Sequence, residues 1–568
     1  MPLKGTSNRL QALALAGLAG LLLCSLLLSW RASQLSLVHL PAADVWQHSG
    51  LVAAASAGQL DLASLLERHN QLHFIPLPKL VYALDLLADG SGRLTASCSA
   101  FFTLLCCALF ASLLAHGGHN RRQRETLALA LLFASWLSCV LQWESFVNPA
   151  NLQWSGLSAG LVLAGLGLQR RSVWAMAAGA GVAIGCGAPW WLLPLAALTV
   201  LLPPRRLLLA LALLGGTATG WETLNGYWLQ QTPPLALQAI RLALPLSAAE
   251  MAAISGTFFA DPAGFYLAWG SNLLQFMASF CLPPLAQWFS APALLALSPL
   301  PLLAALLLPG RAPAHRGLGF LLWATLLTGL AAGLVRAQLP GAYTGRFANT
   351  GLLFLAACAA LAYPAGSCRK PFWWLLALLY NLVLGTSCWR EAAHIVQDSN
   401  QRRLSQVAYA LDMEDMRATS EVPFAPMMAQ SYREISERKV VLQTHGKGIY
   451  GSREHRVYAG QAALPTAVVA CQHGEIRIKP LKDDPAGRKI TGDSHSTAGD
   501  SMTSVLLRNS AGQAIGYGIF QVGGPSLPSL LARPQRWAGF FHQPADGAVQ
   551  VIAYNTQAQC EPLAIRSP

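Results

Sequence analysis

Charge is what this chain has least of. Only 11% of its 568 residues are Asp, Glu, Lys or Arg, against about 25% in an ordinary soluble domain. A water-soluble globule of this length is excluded, because its surface would have too few charges to cover it. The sequence also has no CxxC pair and no zinc-type Cys/His spacing, which excludes a thioredoxin-like centre or a zinc ribbon. There is no glycine-rich phosphate loop, no Ser-His-Asp pattern pointing to hydrolysis, and no internal repeat. Despite a net charge of +13, no basic face interleaved with aromatics occurs, so nucleic acid is not expected as a partner.

Long apolar runs fill the gap left by charge. Hydrophobic residues make up 54% of the chain, and runs of about 20 residues recur, the signature of a polytopic membrane protein. The expected spans are Leu10–Trp30, Ser97–His116, Leu127–Phe146, Gln153–Gln169, Val173–Trp190, Trp191–Leu202, Leu207–Gly226, Trp288–Leu308, Gly317–Val335, Asn349–Tyr363 and Phe372–Trp389. The first lacks a small-residue cleavage site and reads as a retained helix. Short loops between runs carry Arg121, Arg122, Arg124, Arg170, Arg171, Arg205, Arg206, Arg311, Arg316, Arg369 and Lys370. Such clusters mark the cytoplasmic side, which predicts an inner N-terminus, eleven spans and an outer tail. Residues 265–282 are apolar enough to span, but counting them would reverse the side of Arg369 and Lys370. They are therefore expected to lie along the outer interface. Ten of the twelve cysteines precede Arg390 in or near apolar runs, where Cys packs as a small hydrophobe.

The charges that do not follow this rule gather on the predicted outer side: Asp44, Glu67, His69, His73, Asp85, Glu144, Tyr343 and Arg346. Ionisable groups at membrane depth are costly unless paired or facing a wet cavity, so each is a functional candidate. Most lie in the first outer loop, residues 31–95, far longer than a hairpin needs. Its "DLASLLERHNQLHF" has helical spacing, broken by Pro76 and Pro78. Beyond 390 the composition changes. Residues 391–445 read as a helical connector. Residues 446–568 carry short alternating runs between Gly, Pro, Asp and Ser, which predicts a β-sandwich. If that domain lies in an oxidising compartment, Cys471 and Cys560, near its first and last strands, are candidates for a disulfide.

A long outer loop with an acid soon after the first helix resembles the GT-C superfamily of membrane glycosyltransferases. The motifs that carry the likeness are "ADVWQ", "ERHNQLHFIPLPKLVYALD", "LQWESFVNPANLQW" and "GAYTGRFANTGLLF", and it covers roughly residues 10–390. It implies a GT-C-like membrane domain at 1–390 and transfer of a sugar from a polyprenyl-phosphate donor to an envelope glycan, lipid or protein acceptor. It also implies a bacterial inner membrane, with the chemistry outside. Asp44 matches the family's loop-one acid and is the candidate base for the acceptor hydroxyl. The alternative is an acid that caps the loop. Arg346 suits the leaving phosphate, or it snorkels to the interface. Glu67, Asn70 and Tyr343 are further substrate-binding candidates. His69 and His73 share one helical face and are substrate-binding candidates through hydrogen bonds to a sugar or phosphate, or are satisfied within the fold; as a metal pair they lack a clear third ligand. Asp44 is followed by Val45 and Trp46, so no DxD pair forms. No metal or other cofactor is assigned. Glu144 either binds a sugar hydroxyl or pairs with a cation. Two other readings stay open: a flippase or transporter of lipid-linked glycans, and a non-enzymatic envelope assembly protein.

Overall fold

The computed structural model describes residues 3–35, 65, 75–88, 90–117, 123–147, 151–189, 192–202, 261–308, 313–336, 347–364, 367–413, 439–521 and 536–566. The longer helices are α1 Leu3–Leu35, α2 Pro76–Ala88, α3 Arg93–Gly117, α4 Gln123–Leu137, α5 Leu152–Arg170, α6 Val173–Gly185, α7 Leu192–Leu201, α8 Pro262–Cys281, α9 Arg316–Arg336, α10 Ala348–Ala362 and α11 Lys370–Ala410. Among the described residues five helical stretches are long and apolar enough to cross a membrane: Ala12–Leu35, Arg93–His116, Gln123–Gln142, Pro313–Gly333 and Lys370–Ala410. On α11, Phe372, Leu375, Leu378 and Leu382 are exposed, a surface that suits lipid and not water. Val173–Gly185, Leu192–Leu201 and Ala348–Ala362 are apolar but shorter. The expected span Leu207–Gly226 lies outside the described residues.

Small residues set how closely this bundle packs. Helix α5 is almost wholly buried and pairs most extensively with α6. A Cβ on Gly160 would sit 2.6 Å from the Ala183 backbone nitrogen and 2.8 Å from the Gly179 carbonyl. With no room for a side chain, the two backbones lie against each other, the close approach that small residues permit between apolar helices. A helix enclosed in this way need not present leucines to lipid, which is why the expected span Gln153–Gln169 is rich in Gly and Ser.

Residues 265–282 form most of α8, whose last turns, Phe276 to Cys281, are buried. The Phe276 and Phe280 rings fit against Gly333 and Gly329 of α9, and Gly351 of α10 lies against the Phe280 carbonyl. The second half of the segment thus packs against α9 and α10, while Leu267 and Leu274 nearer its start stay exposed. The glycines that receive its aromatic side lie 50 to 70 residues downstream, beyond the reach of a local apolarity reading.

The two ends of the bundle differ. At one end, Gln169 Nε2 donates to the Pro313 carbonyl at 3.1 Å and Arg170 to Ser112 Oγ at 2.9 Å, while Lys370 pairs with Glu125 at 2.8 Å. The basic connections are thus drawn together. From that end α11 runs without a break through position 390 to Ala410. Its 41 residues make it about 60 Å long, twice the thickness of a bilayer's hydrocarbon core. Its far half carries the C-terminal domain.

That domain is strand-rich, as expected, and forms one ten-stranded sheet whose pairing does not confirm the expected sandwich. The strands are β1 Ala467–Val469, β2 Cys471–His473, β3 Arg477–Pro480, β4 Gly487–Ser496, β5 Ser504–Arg508, β6 Ala514–Gln521, β7 Arg536–His542, β8 Ala548–Tyr554, β9 Ala558–Cys560 and β10 Leu563–Arg566. The order is β1-β9-β8-β5-β6-β7-β4-β2, with β10 on β8 and β3 on β4. β1 and β2 stand at opposite ends of this path, yet only Ala470 separates them in sequence. The sheet must therefore curl until its ends meet, as a nearly closed barrel. Alternation places Ile490, Val505, Phe520, Trp537, Phe541 and Val551 in the interior. Cys471 and Cys560 form a disulfide, Cα–Cα 5.5 Å, that ties β2 to β9 across the seam.

The barrel's outer wall supplies the junction. Tyr517 and Ile519 of β6 and Ala538 and Phe540 of β7 pack with Leu404, Val407 and Ala408 of α11 and with Tyr82 and Leu86 of α2. Lys447 Nζ donates to the carbonyls of Leu87 and Ala88 at 2.8 and 3.1 Å, a cation at a helix C-terminus.

Candidate functional site

Of the residues singled out in the sequence, Asp44, Glu67, His69, Asn70, His73, Tyr343 and Arg346 lie outside the described residues. Glu144 is described, half-buried at the start of the short helix Glu144–Val147. Asp85 is buried and committed to backbone: Oδ2 accepts from Gly92 N at 2.8 Å and Oδ1 from Leu94 N at 2.9 Å. It satisfies orphan amides where α2 turns into α3, a structural duty.

Around Glu144 the "LQWES" segment makes a side-chain network at the barrel end of the bundle. It can leave the α4 helix there because its neighbours supply the hydrogen bonds it gives up. Gln142 Oε1 accepts from Asn349 Nδ2 at 2.5 Å, and Gln142 Nε2 donates to the Leu137 carbonyl at 2.6 Å. The Ser145 carbonyl accepts from Ser99 Oγ at 2.5 Å, and the Glu144 carbonyl from Asn151 Nδ2 at 3.4 Å. Asn349 sits three residues after Arg346, so the two sequence motifs that flank Glu144 and Arg346 meet through the Gln142–Asn349 bond. Phe347 joins them: its ring is 4.8 Å from Trp154 and 5.2 Å from Phe276, both edge-on.

The residue that the sequence reading passed over is Glu391. It is buried in α11, and its two oxygens accept from Trp143 Nε1 at 2.6 Å and Gln287 Nε2 at 2.5 Å. Next to it, Trp288 Nε1 donates to Ser387 Oγ at 2.9 Å, and the Arg390 guanidinium lies 3.4 Å from the centre of the Trp288 ring, a cation–π contact. A signal was available in the sequence: Leu384, Ser387, Glu391, Ile395 and Ser399 recur at helical spacing, and all are buried. An acid on the inward face of a helix needs partners. Placing the end of the membrane domain at 390 hid it in the connector.

Three buried polar atoms around this network have no hydrogen-bond partner among the described residues: Trp154 Nε1, Ser145 Oγ and Gln287 Oε1. Together with the carboxylate and the aromatic rings they make a mostly neutral surface of donors and acceptors. Among the described residues no group of three or more His, Cys, Asp or Glu is arranged to hold a metal ion.

Comparison with protein-family profiles, with curated proteins and with solved structures gives no match to this chain.

Proposed function

We propose that this protein is a membrane glycosyltransferase of GT-C type that takes a sugar from a polyprenyl-phosphate donor. The acceptor is an envelope glycan, lipid or protein outside a bacterial inner membrane, and the chain crosses that membrane eleven times. The observation that carries the reading is the Trp143–Glu391–Gln287 network beside Glu144, with three buried polar atoms that have no partner among the described residues, at the end of the bundle opposite Arg170 and Lys370. Sugars are recognised by neutral hydrogen-bonding groups and aromatic faces, and the network offers both. Polar groups collected at one end also suit a reaction at a membrane face better than passage through the middle, where a transporter keeps its ionisable groups. In this reading Asp44 takes the proton from the acceptor hydroxyl as it attacks the anomeric carbon. Arg346 stabilises the charge on the departing lipid phosphate, and Glu144 and Glu391 orient sugar hydroxyls.

The test is purified protein in lipid nanodiscs with a panel of polyprenyl-phosphate sugars and an acceptor lipid extract. Donor consumption should fall about 10²-fold or more in Asp44→Asn, the scale of general-base loss, while donor binding persists. Full turnover by Asp44→Asn would remove the base assignment.

A further inference from the structure

The barrel's seam is sealed at one end only. There β1 pairs in parallel with β9, and Glu561 N donates to the Val469 carbonyl at 3.3 Å. Past that bond β3 pairs only with β4, and β10 only with β8. Each therefore keeps one open edge among the described residues. Successive strands from β4 through β7, β6 and β5 to β8 are antiparallel, so β4 and β8 run the same way. β3 and β10 are antiparallel to them and pair with their first halves. The two open strands thus run the same way and flank the seam at the same end of the barrel. One strand entering between them can be antiparallel to both.

Two kinds of side chain line this opening. Ile476, Ile478, Leu563 and Ile565 pack against the barrel core yet stay only half-buried. The outward positions are cationic. Lys479 is the direct cross-strand partner of Lys489, and exposed Arg566 ends β10. Like charges placed opposite each other destabilise a sheet. Burial, with Lys479 adding to it, holds the Lys489 ammonium below the usual lysine range. Arg477 is neutralised by Glu475 at 2.6 Å. Lys479, Lys489 and Arg566 have no acid within salt-bridge distance among the described residues.

We propose that the open seam between β3 and β10 takes up an extended acidic segment of a partner protein as an added strand. Main-chain hydrogen bonds to an open edge supply affinity, and alternate side chains supply specificity. Apolar residues of the segment would cover Ile478 and Ile565, and carboxylates on its other face would meet Lys479, Lys489 and Arg566. The cations select this occupant. Lysines on an edge repel a second copy of the same edge, whereas an acidic strand relieves the repulsion between them.

The test uses the full-length protein in an uncharged detergent, with a fluorescent peptide of alternating Glu and Val as the probe. Wild type should bind it, and Lys479→Glu/Arg566→Glu should bind about tenfold more weakly, a factor of a few for each exposed charge. The same peptide N-methylated at alternate amides keeps its charge but loses its edge donors. It should bind wild type about tenfold more weakly than the parent peptide. That comparison needs no variant, so it stands even where the charge reversal prevents folding. Equal binding of the two peptides would reduce the contact to charge attraction and overturn the proposal. So would undiminished binding by Lys479→Glu/Arg566→Glu, no binding of the parent peptide, or self-association of the protein that competes with the peptide, which would make a second copy the occupant.

Discussion

At the residue scale, the structure separates charges that hold the fold from charges that remain candidates for chemistry. Asp85 belongs to the first group. Glu391 holds the fold as well, since its carboxylate ties Trp143 and Gln287 to α11. Glu391→Ala leaves two buried donors unpaired and should lower stability by about 3 kcal/mol. Glu391→Gln keeps an acceptor oxygen and should lose less. Thermal unfolding in detergent distinguishes them, and equal melting of both variants with wild type would show that the carboxylate holds nothing. His455 tests the junction. It lies on the short helix Arg453–Tyr458 between the rings of Tyr450 and Tyr517, 5.0 and 6.0 Å away. Burial, with Lys439 adding to it and Asp412 opposing, lowers its pKa to about 4. In the unfolded chain it returns to about 6.5. Between these values the unfolded state binds more protons, so stability falls as pH drops from about 6.5 to about 4 and changes no further below that. The stability difference between wild type and His455→Gln should shift across that window, and a constant difference from pH 7.5 to 4 would contradict the burial argument.

At the element scale, the strands of the tail and its covalent tie are the clearest. Cys471 and Cys560 are 89 residues apart, and their bond ties β2, at one end of the sheet, to β9, which lies next to the other end. Replacing both with Ser removes a constraint on the unfolded chain of about 4 kcal/mol in the entropic account. The strand-rich domain should then unfold at a lower temperature under non-reducing conditions, and identical melting would show that the seam holds without it. Much of this element content was legible in the sequence. The alternation of "AIGYGIFQV" and "VQVIAYN" marks strands, and the prolines at 76 and 78 mark the start of α2. Less legible was the arrangement. Closure into one curled sheet depends on β1 pairing with β9, about 90 residues away, and no local pattern encodes that register. The same holds for α8, whose burial is decided by glycines on α9 and α10. The domain boundary set at 390 followed the drop in hydropathy, but a helix continues wherever one face finds cover. Leu404 to Ala410 find it on the barrel.

At the scale of the whole molecule, a basic end, an apolar middle and a polar, aromatic end follow one another along the bundle, and the barrel is mounted on the last of these. The arginine clusters announced this polarity in the sequence, because charge is so scarce that each cluster stands out. The meeting of the 142–145 and 347–349 segments was hidden, since it depends on side chains some 200 residues apart. The account rests on the claim that this end performs glycosyl transfer. The most direct measurement is the intact mass of envelope glycolipids and glycans from cells with the protein, without it, and with Asp44→Asn in its place. The account predicts a species lighter by one sugar residue when the protein is absent, and the same lighter species with Asp44→Asn. Identical masses in all three would contradict it, as would unaltered structures accumulating on the wrong side of the membrane.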